Sequence, residues 1–564
     1  MYLKLMEGIQ RFQTQEDKQK KELFATLVTG QRPTTLFFTC SDSRIIPTLV
    51  THTGPGDIFA VRNVGAIIDS YSSEPSSAAA AIEFAVKVLG VQEVVVCGHS
   101  RCGAMNGIQT PHLEETLPAV ASWLAETKSM LEVHDEAHHH SLADTTEESV
   151  LIQIKKLKTH PAIIEQLEAH KLSIHGWIYE FETGQVLTHD QLTNKFLPID
   201  QINPYLISSK ALLTSKLVEG ALHFKKNGYL QKKELFQSLA EGQHPKALLF
   251  SCSDSRVLPS LITDTDPGEL FVARNVGNLV PFYSTAPSGE AAAVEYAINV
   301  LGVKDIIVCG HSHCGAMKGL MTPNLEKDLP AVAAWLIYAK RTLEILKHKF
   351  PESTEHSLTC VTKENILVQI ENLQAYPGVI EKLANKQLKL HAWFYDFGVG
   401  EVLIYSQDQK EFIPFNDAIT ELLCSEEVLT RMNTIVEEEA MAYLKTLASP
   451  QTSAAYQLMM PILNYIKFKG IAGIWEQIKA PITLKIEAEF GGLCPQKTDV
   501  RLTTLVAKGL AVKLPDLRDL QKQVMDSPGY HEFSGQMMRH MLTPPKSQTS
   551  SKQNTEPGNP TFHL

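Results

Sequence analysis

The pentapeptide CSDSR occupies residues 40–44 and returns unchanged at residues 252–256. Each copy follows a short apolar run that is typical of a buried strand. Alternate side chains of an extended segment share one face, so Cys40, Asp42 and Arg44 can point the same way. A thiol, a carboxylate and a guanidinium on one face indicate a reactive site, and the repetition predicts two such sites.

The repetition extends along most of the chain, and a repeat decides the domain organisation before any other feature. The two pentapeptides are separated by 212 positions (252 minus 40), and the same offset relates His99 to His311. The offset later becomes 216, because HGWIYEF at 175–181 matches HAWFYDF at 391–397. The second copy therefore carries four extra residues. We predict homologous domains at 1–205 and 206–415, a mainly helical region of unknown role at 416–543, and a disordered polar tail at 544–564.

Strand-like and helix-like patterns alternate within each copy. The alanine-rich segment at 75–90 begins with proline and ends with glycine, as helices favour. This alternation predicts an α/β fold with a mostly parallel central sheet flanked by helices. Ligands of open α/β sheets bind outside the carboxyl ends of the strands, where Cys40 and His99 both lie. The runs that predict strands in the first copy are 34–40, 57–63 and 93–99.

Each copy opens with a helical arm, at 3–28 in the first and at 217–240 in the second. Such an arm either covers the sheet of its own copy or embraces the neighbouring copy. The hydrophobic periodicity of the arms does not distinguish these two arrangements.

The composition is that of a soluble globular protein, with 44% hydrophobic and 20% charged residues among 564. A net charge of -11 argues against partners with many phosphates, such as nucleic acids, and against docking on an anionic membrane. The N-terminal sequence lacks the pattern of a secretory signal, and no apolar stretch reaches the roughly 20 residues of a membrane span. Nine cysteines without dense spacing favour a reducing cytoplasm.

A second motif, His-x-x-Cys, begins 59 positions after the first cysteine in both copies. Two thiolates and one imidazole suit Zn²⁺ in tetrahedral geometry. Three protein ligands leave a fourth position for water or substrate, as in catalytic rather than structural sites. Cys97 and Cys309 lie inside apolar strands and are interpreted as small buried hydrophobic residues. The predicted metal ligands are Cys40, His99, Cys102, Cys252, His311 and Cys314.

CSDSR followed by GHSRCGA at 98–104, and CSDSR followed by GHSHCGA at 310–316, resemble the β-class carbonic anhydrases. The resemblance covers each repeat nearly end to end and stops near residue 415. It implies the β-carbonic anhydrase fold, with the two repeats forming a pseudo-dimer within one chain, and leaves further self-association open. It also implies one zinc ion per repeat and the reversible hydration of carbon dioxide to bicarbonate and a proton, with zinc hydroxide as the nucleophile.

The resemblance assigns the acidic and basic residues of the pentapeptides to catalysis. Asp42 and Asp254 are expected to accept a hydrogen bond from the zinc-bound hydroxide, each held by its arginine, Arg44 or Arg256. An arginine at short range keeps a carboxylate ionised, and its planar fork can bind both oxygens. Two thiolates cancel the formal charge of zinc, so the reacting water should ionise less readily than in a three-histidine site. We therefore expect activity to rise above neutral pH.

The family pattern also implies residues that contact substrate, and this sequence departs from it at one pair of positions. Phe271 and Tyr296 are expected to complete the first site, and Phe59 the second. The position of Tyr296 is Phe84 in the first copy, so the second site would lack a hydroxyl. Either the two halves differ in rate for this reason, or the exchange is neutral packing. The predicted substrate-binding residues are Gln31, Phe59, Gly103, Gln243, Phe271, Tyr296 and Gly315.

Some bacterial members of the family hold bicarbonate beside the metal and switch to an inactive form in which the aspartate binds zinc. That site needs a tryptophan and a glycine just before the first cysteine. This chain has Phe37 and Thr39 there, and then Leu249 and Ser251, so we expect no such switch.

Two alternatives to carbonic anhydrase activity stay open at this point. One is hydrolysis of another linear heterocumulene, such as carbon disulfide, on the same scaffold. The other is a zinc-bearing scaffold or regulatory protein whose C-terminal region does the work.

Overall fold

The structure is a computed structural model, and it describes residues 2–14, 26–28, 30–134, 141–201, 216–284, 286–351 and 356–424. The predicted helical region at 416–543 lies outside these residues from 425 onwards, as does the whole tail at 544–564. Within the described ranges, no helix combines the length and the apolar character needed to cross a bilayer.

Twelve strands of the described chain form one sheet, with six strands from each half. The first half contributes β1 Thr35–Cys40, β2 Ile58–Asn63, β3 Glu93–His99, β4 Ser173–Glu180, β5 Gln185–Asp190 and β6 Lys195–Pro198. The second contributes β7 Ala247–Cys252, β8 Leu270–Asn275, β9 Asp305–His311, β10 Lys389–Asp396, β11 Glu401–Ser406 and β12 Glu411–Pro414. Their order is β12-β11-β10-β9-β7-β8-β2-β1-β3-β4-β5-β6.

The four inner strands of each half pair in parallel, in the orders β2-β1-β3-β4 and β8-β7-β9-β10. The outer strands of each half pair antiparallel. The halves meet where β2 and β8 pair antiparallel, with Arg62 opposite Arg274. Because parallel strands end at the same edge, Cys40 and His99 lie at one edge of the first half. The predicted fold class is confirmed.

Helices flank the sheet, and the inner strands are buried on both faces. Phe37 of β1 packs into one core cluster, whereas Leu36 and Phe38 pack into another. Helices of the first half are α1 Tyr2–Thr14, α2 Pro47–Val50, α3 Ser77–Glu83, α4 Gly103–Gln109, α5 Leu113–Thr116, α6 Pro118–His134, α7 Leu142–Leu157 and α8 Pro161–Glu168. Those of the second half are α9 Lys216–His223, α10 Tyr229–Gln231, α11 Lys233–Leu239, α12 Pro259–Ile262, α13 Gly289–Asn299, α14 Gly315–Leu320, α15 Leu325–Asp328, α16 Pro330–Trp335, α17 Lys340–Lys349, α18 Leu358–Gln374, α19 Pro377–Ala384 and α20 Phe415–Cys424. Short 3-10 segments occupy Val64–Ala66 and Leu336–Ala339, and π-helical turns occupy Phe84–Leu89 and Phe224–Gly228.

The alanine-rich helix predicted at 75–90 begins at Ser77, where the side chain of Ser76 accepts a hydrogen bond from the Ala79 amide. It is α-helical to Glu83 and continues as the π-helical turn to Leu89, which Gly90 ends with a φ of 67°. Its small side chains allow close packing against helix α16 of the second half, and α13 packs in the same way against α6. The two halves therefore share helix interfaces as well as a sheet.

The N-terminal arms cross between the halves, which settles the question that periodicity left open. Helix α1 of the first half packs against α12 of the second, and Arg11 Nε donates to Asp264 Oδ2 at 2.6 Å. Helix α9 of the second half lies against the first half, where the rings of His52 and His223 have centroids 4.0 Å apart. The two arms are therefore exchanged. Both are held by a lysine–carboxylate ion pair, Lys4 with Glu269 and Lys216 with Asp57. They differ where Arg11 and Asp264 correspond to His223 and His52.

A glycine permits the close approach of each arm. A Cβ atom placed on Gly8 would lie 1.7 Å from the Thr263 carbonyl oxygen, and one on Gly220 would lie 1.7 Å from that of Thr51. We expect Gly8→Ala or Gly220→Ala to displace the arm and to lower the free energy of unfolding by about 1–3 kcal/mol, as overpacking commonly does. Chemical denaturation measures this change.

Gly242→Ala is the matched control, because its nearest neighbour would be His244 Nε2 at 3.9 Å. Equal stability of the Gly8→Ala and Gly242→Ala proteins would contradict the arrangement of the first arm.

Candidate metal centres

Strand ends and helix starts position the predicted metal ligands. Cys40 ends β1, His99 ends β3, and Cys102 caps the start of helix α4. All three are buried, and their candidate ligand atoms lie within 4.8 Å of one another. The second half repeats this cluster with Cys252, His311 and Cys314. The structure therefore brings together all six predicted ligands, three in each half.

The orientation of each histidine fits metal binding. The Nδ1 atom of His99 lies 2.9 Å from the Ser100 carbonyl oxygen, and that of His311 lies 2.8 Å from Ser312 O. Nδ1 must therefore carry the proton, which leaves a lone pair on Nε2. Among the described residues, neither buried Nε2 atom has a hydrogen-bond partner. An orphaned imidazole nitrogen beside two thiols is the donor set that zinc prefers.

The two thiols of each cluster differ in their tendency to ionise. A hydrogen bond from Cys102 lowers the pKa of Cys40 well below its ordinary value, against the effect of burial. The Cys40 thiolate in turn raises the pKa of Cys102. The Gly65 amide also donates to Cys40 Sγ at 3.3 Å. The cluster is therefore prepared to hold negative charge, as a binding site for a cation must be.

A buried carboxylate–guanidinium pair lies beside each cluster. Arg44 Nη2 donates to Asp42 Oδ2 at 2.7 Å, and Arg44 Nε donates to Oδ1 at 2.9 Å. Arg256 binds Asp254 in the same way, at 2.7 and 2.8 Å. Asp42 Oδ2 lies 4.0 Å from His99 Nε2, so the carboxylate faces the position where a metal would sit.

The arginines keep both carboxylates ionised. Burial by itself would raise the pKa of Asp42, but the hydrogen bonds and the charge of Arg44 lower it below its ordinary value. The same causes lower the pKa of Asp254. An ionised carboxylate accepts hydrogen bonds and cannot donate them.

A glutamine from the opposite half completes each carboxylate site. Gln243 Nε2 donates to Asp42 Oδ2 at 2.7 Å, and its Oε1 accepts from the amide and the hydroxyl of Ser43 at 2.9 and 2.8 Å. Gln31 makes the equivalent bonds to Asp254 and Ser255. Each site is therefore incomplete without the other half.

The predicted aromatic residues also cross between the halves. One core cluster contains Cys40 and Cys102 of the first half together with Phe271 of the second. The other contains Cys252 and Cys314 together with Phe59. Tyr296 lies against Gly103 at the first site, and Phe84 lies against Gly315 at the second.

Two kinds of supporting residue were not anticipated from the sequence. Arg62 is buried in β2 and donates to the carbonyl oxygens of Cys40 and Asp42, at 3.1 and 2.8 Å. The guanidinium of Arg44 stacks over the ring of Phe181, 4.6 Å from its centroid. Arg274 and Phe397 do the same in the second half. The usable signal was their recurrence at matched positions of the two copies, in AVRN at 60–63 and VARN at 272–275, and at the ends of HGWIYEF and HAWFYDF.

The backbone between the histidine and the second cysteine is also constrained. Arg101 has a φ of 51° and its carbonyl oxygen accepts from Arg44 Nη2 at 3.0 Å. His313 has a φ of 54° and accepts from Arg256 at 3.2 Å. A left-handed residue is unfavourable for a side chain larger than glycine. The arginine of each pair therefore helps to hold the turn that aims the second cysteine at the metal position.

Comparison with known proteins identifies relatives of both halves. The sequence profile of the carbonic anhydrase family matches residues 35–186 and 247–402. A carbonic anhydrase of Synechococcus elongatus is 44% identical over 198 residues, which is 35% of this chain and 73% of that protein. Beta carbonic anhydrase 3 of Arabidopsis thaliana is 37% identical over 211 residues, 36% of this chain and 81% of that protein. The solved structure of the β-carbonic anhydrase CcaA shares 43% identity over 35% of this chain and 98% of its own, with a TM-score of 0.34.

Proposed function

This chain belongs to the β class of the carbonic anhydrase family, and we propose that each of its halves catalyses the reversible hydration of carbon dioxide to bicarbonate and a proton. The observation that carries the proposal is the presence, in both halves, of a buried Cys-His-Cys cluster next to an ionised aspartate. A purely structural zinc site needs no such carboxylate at an open coordination position.

Three residues in each half fit one zinc ion, and they leave one coordination position for a non-protein ligand. Zinc bound there acts as a Lewis acid that activates a water molecule for attack on carbon dioxide. The remaining steps depend on how this chain orients that water and admits its substrate.

We propose that Asp42 and Asp254 orient the reacting water. Each carboxylate is ionised and can only accept, so the hydrogen of the water must point towards it. Arg44 occupies one side of Asp42 through two hydrogen bonds, which holds the accepting oxygen in place. The lone pair of the water is then directed away from the carboxylate, towards the substrate.

We propose that the glutamine and the aromatic residues from the opposite half form the substrate pocket. Carbon dioxide is apolar, and the rings of Phe271 and Phe59 give each site an apolar wall. Gln243 and Gln31 supply an amide beside the carboxylate. Gly103 and Gly315 leave room for the side chains that close each pocket.

We propose that the aspartates remain bound to their arginines and do not switch to the metal. Phe37 stands where the switching members have tryptophan, and it packs in the core against Trp177 with ring centroids 6.2 Å apart. A metal-ligating Asp42 or Asp254 near neutral pH would contradict this.

We propose residues 1–205 and 206–415 as the two functional repeats, which act as a pseudo-dimer because each supplies residues to the site of the other. We propose a cytoplasmic location, since two thiolate ligands per site must stay reduced.

The activity is expected to rise between pH 7 and 8.5. Asp42 and Asp254 do not titrate in this range, because their pKa values lie below an ordinary value of about 3.9. Protonation of these groups would affect the rate only in strong acid. Ionisation of the reacting water is therefore the titration that the rate follows, and two thiolates place it higher than three histidines would. Stopped-flow carbon dioxide hydration over this range measures the effect, and a flat or falling profile would contradict it.

A further inference from the structure

The two sites differ at one aromatic residue that crosses from the opposite half. A Cβ atom placed on Gly103 would lie 2.4 Å from the hydroxyl oxygen of Tyr296. A Cβ atom on Gly315 would lie 2.9 Å from the ring tip of Phe84. Both side chains therefore end against the residue that follows the second cysteine ligand, one at each site.

The surroundings of the two rings match closely. Phe271 and Tyr296 have ring centroids 5.9 Å apart and an interplanar angle of 31°. Phe59 and Phe84 have centroids 5.9 Å apart and an angle of 34°. The two ring pairs have nearly the same geometry, and the hydroxyl oxygen of Tyr296 is the chemical difference between them.

The Tyr296 hydroxyl remains protonated at any ordinary pH. Burial raises its pKa, and the negative charges of Asp42, Cys102 and Cys40 raise it further. These charges belong to the first metal centre, so the hydroxyl lies in the field of that centre. The first site thus contains a neutral hydroxyl donor, which the second site lacks.

We propose that Tyr296 donates a hydrogen bond to a bicarbonate ion at the first metal centre, and that the second centre, closed by Phe84, binds this anion more weakly. The inference rests on the proposed function, because bicarbonate is the anionic species of that reaction. A hydrogen bond to a charged group contributes about tenfold or more to affinity. Neutral carbon dioxide accepts hydrogen bonds only weakly, so its binding is expected to differ little between the sites.

The consequence is a difference in saturation and product inhibition between the two sites. The first site saturates at a lower bicarbonate concentration and is more strongly inhibited by bicarbonate during hydration. The second site releases bicarbonate more readily and is less inhibited by it.

Cobalt(II)-substituted protein allows bicarbonate binding to be followed through visible absorption, without measuring turnover. Cys252→Ala leaves the first site loaded, and Cys40→Ala leaves the second. We expect the dissociation constant for bicarbonate to be about tenfold lower at the first site. Tyr296→Phe should remove this advantage, and Phe84→Tyr should confer it on the second site. In the same backgrounds, KM for bicarbonate should follow these changes, while KM for carbon dioxide changes less than about twofold.

Titration of bicarbonate into the chain with cobalt(II) at both sites is an independent measurement, because it needs no substitution of a metal ligand. It should show two bicarbonate-binding phases, and Tyr296→Phe should merge them. A single phase, or equal affinities that Tyr296→Phe leaves unchanged, would overturn the inference while hydration activity persists. Absence of hydration by the zinc-loaded protein would instead overturn the proposed function.

Discussion

Replacing both Cys40 and Cys252 with alanine is expected to abolish specific metal binding and to lower carbon dioxide hydration by at least about a thousandfold, because no activated water remains. Each single replacement should lower the zinc content from two ions per chain to one. It should also remove only the turnover of its own half. Elemental analysis and stopped-flow hydration on the same preparations measure both quantities.

Cys97→Ala is the matched control for loss of a buried thiol from the same sheet. Cys97 lies in β3, and burial raises its pKa to about 12, so it is a poor metal ligand. Its thiol donates instead to the Gly98 carbonyl oxygen. Two zinc ions and nearly full activity are expected. If Cys40→Ala lost all activity while Cys252→Ala lost none, the second half would be a structural copy and not an enzyme.

Replacing Gln243 with alanine should inactivate the half to which it does not belong. Its amide donates to Asp42 and accepts from Ser43, both in the first half. The substitution removes a hydrogen bond to the buried Asp42 carboxylate and leaves the Ser43 amide without its acceptor. Both changes are energetically unfavourable. We expect hydration by the first site to fall about 10- to 100-fold, and hydration by the second to change little.

The test places Gln243→Ala in two single-site backgrounds. In Cys252→Ala, where only the first site is loaded, hydration should fall by the full 10- to 100-fold, on the order given by loss of hydrogen bonds to a buried charge. In Cys40→Ala, where only the second is loaded, no loss should appear. Gln31→Ala should give the opposite pattern, and Gln237→Ala, on an exposed surface, should affect neither. A loss confined to the second site in Gln243→Ala would contradict the exchanged arrangement.

Much of each metal centre could be predicted because it depends on local geometry. Cys40 and His99 end strands of one parallel sheet, and Cys102 is only three positions beyond His99. Asp42 does lie beside its arginine, but the expected alternation of an extended segment is wrong, because β1 ends at Cys40 and the chain turns at Ser43 and Arg44. Spacing along the chain was sufficient to predict the metal ligands, and the same spacing occurs in both copies.

Spacing does not determine which half a residue serves. Gln31 precedes Cys40 by nine positions, yet its amide donates to Asp254 in the opposite half. The hydrophobic pattern of the sequence does not indicate that this segment reaches the other half. The arms were undecided for the same reason. Arg62 was missed because its role is to bind carbonyl oxygens, which leave no trace in the sequence. Contacts of this kind follow from tertiary packing and not from local pattern.

The exchanged arms carry a consequence for how such a protein can evolve. In a homodimer, one substitution appears at both ends of a twofold interface, so every contact must be compatible with itself. Covalent fusion removes that constraint. Here both arms keep a lysine–carboxylate pair, but at one equivalent position the first has an ion pair, Arg11 with Asp264, and the second has a ring contact, His52 with His223. Because both halves belong to one polypeptide, equivalent positions at the two centres can carry different residues, although each centre still needs residues from the other half.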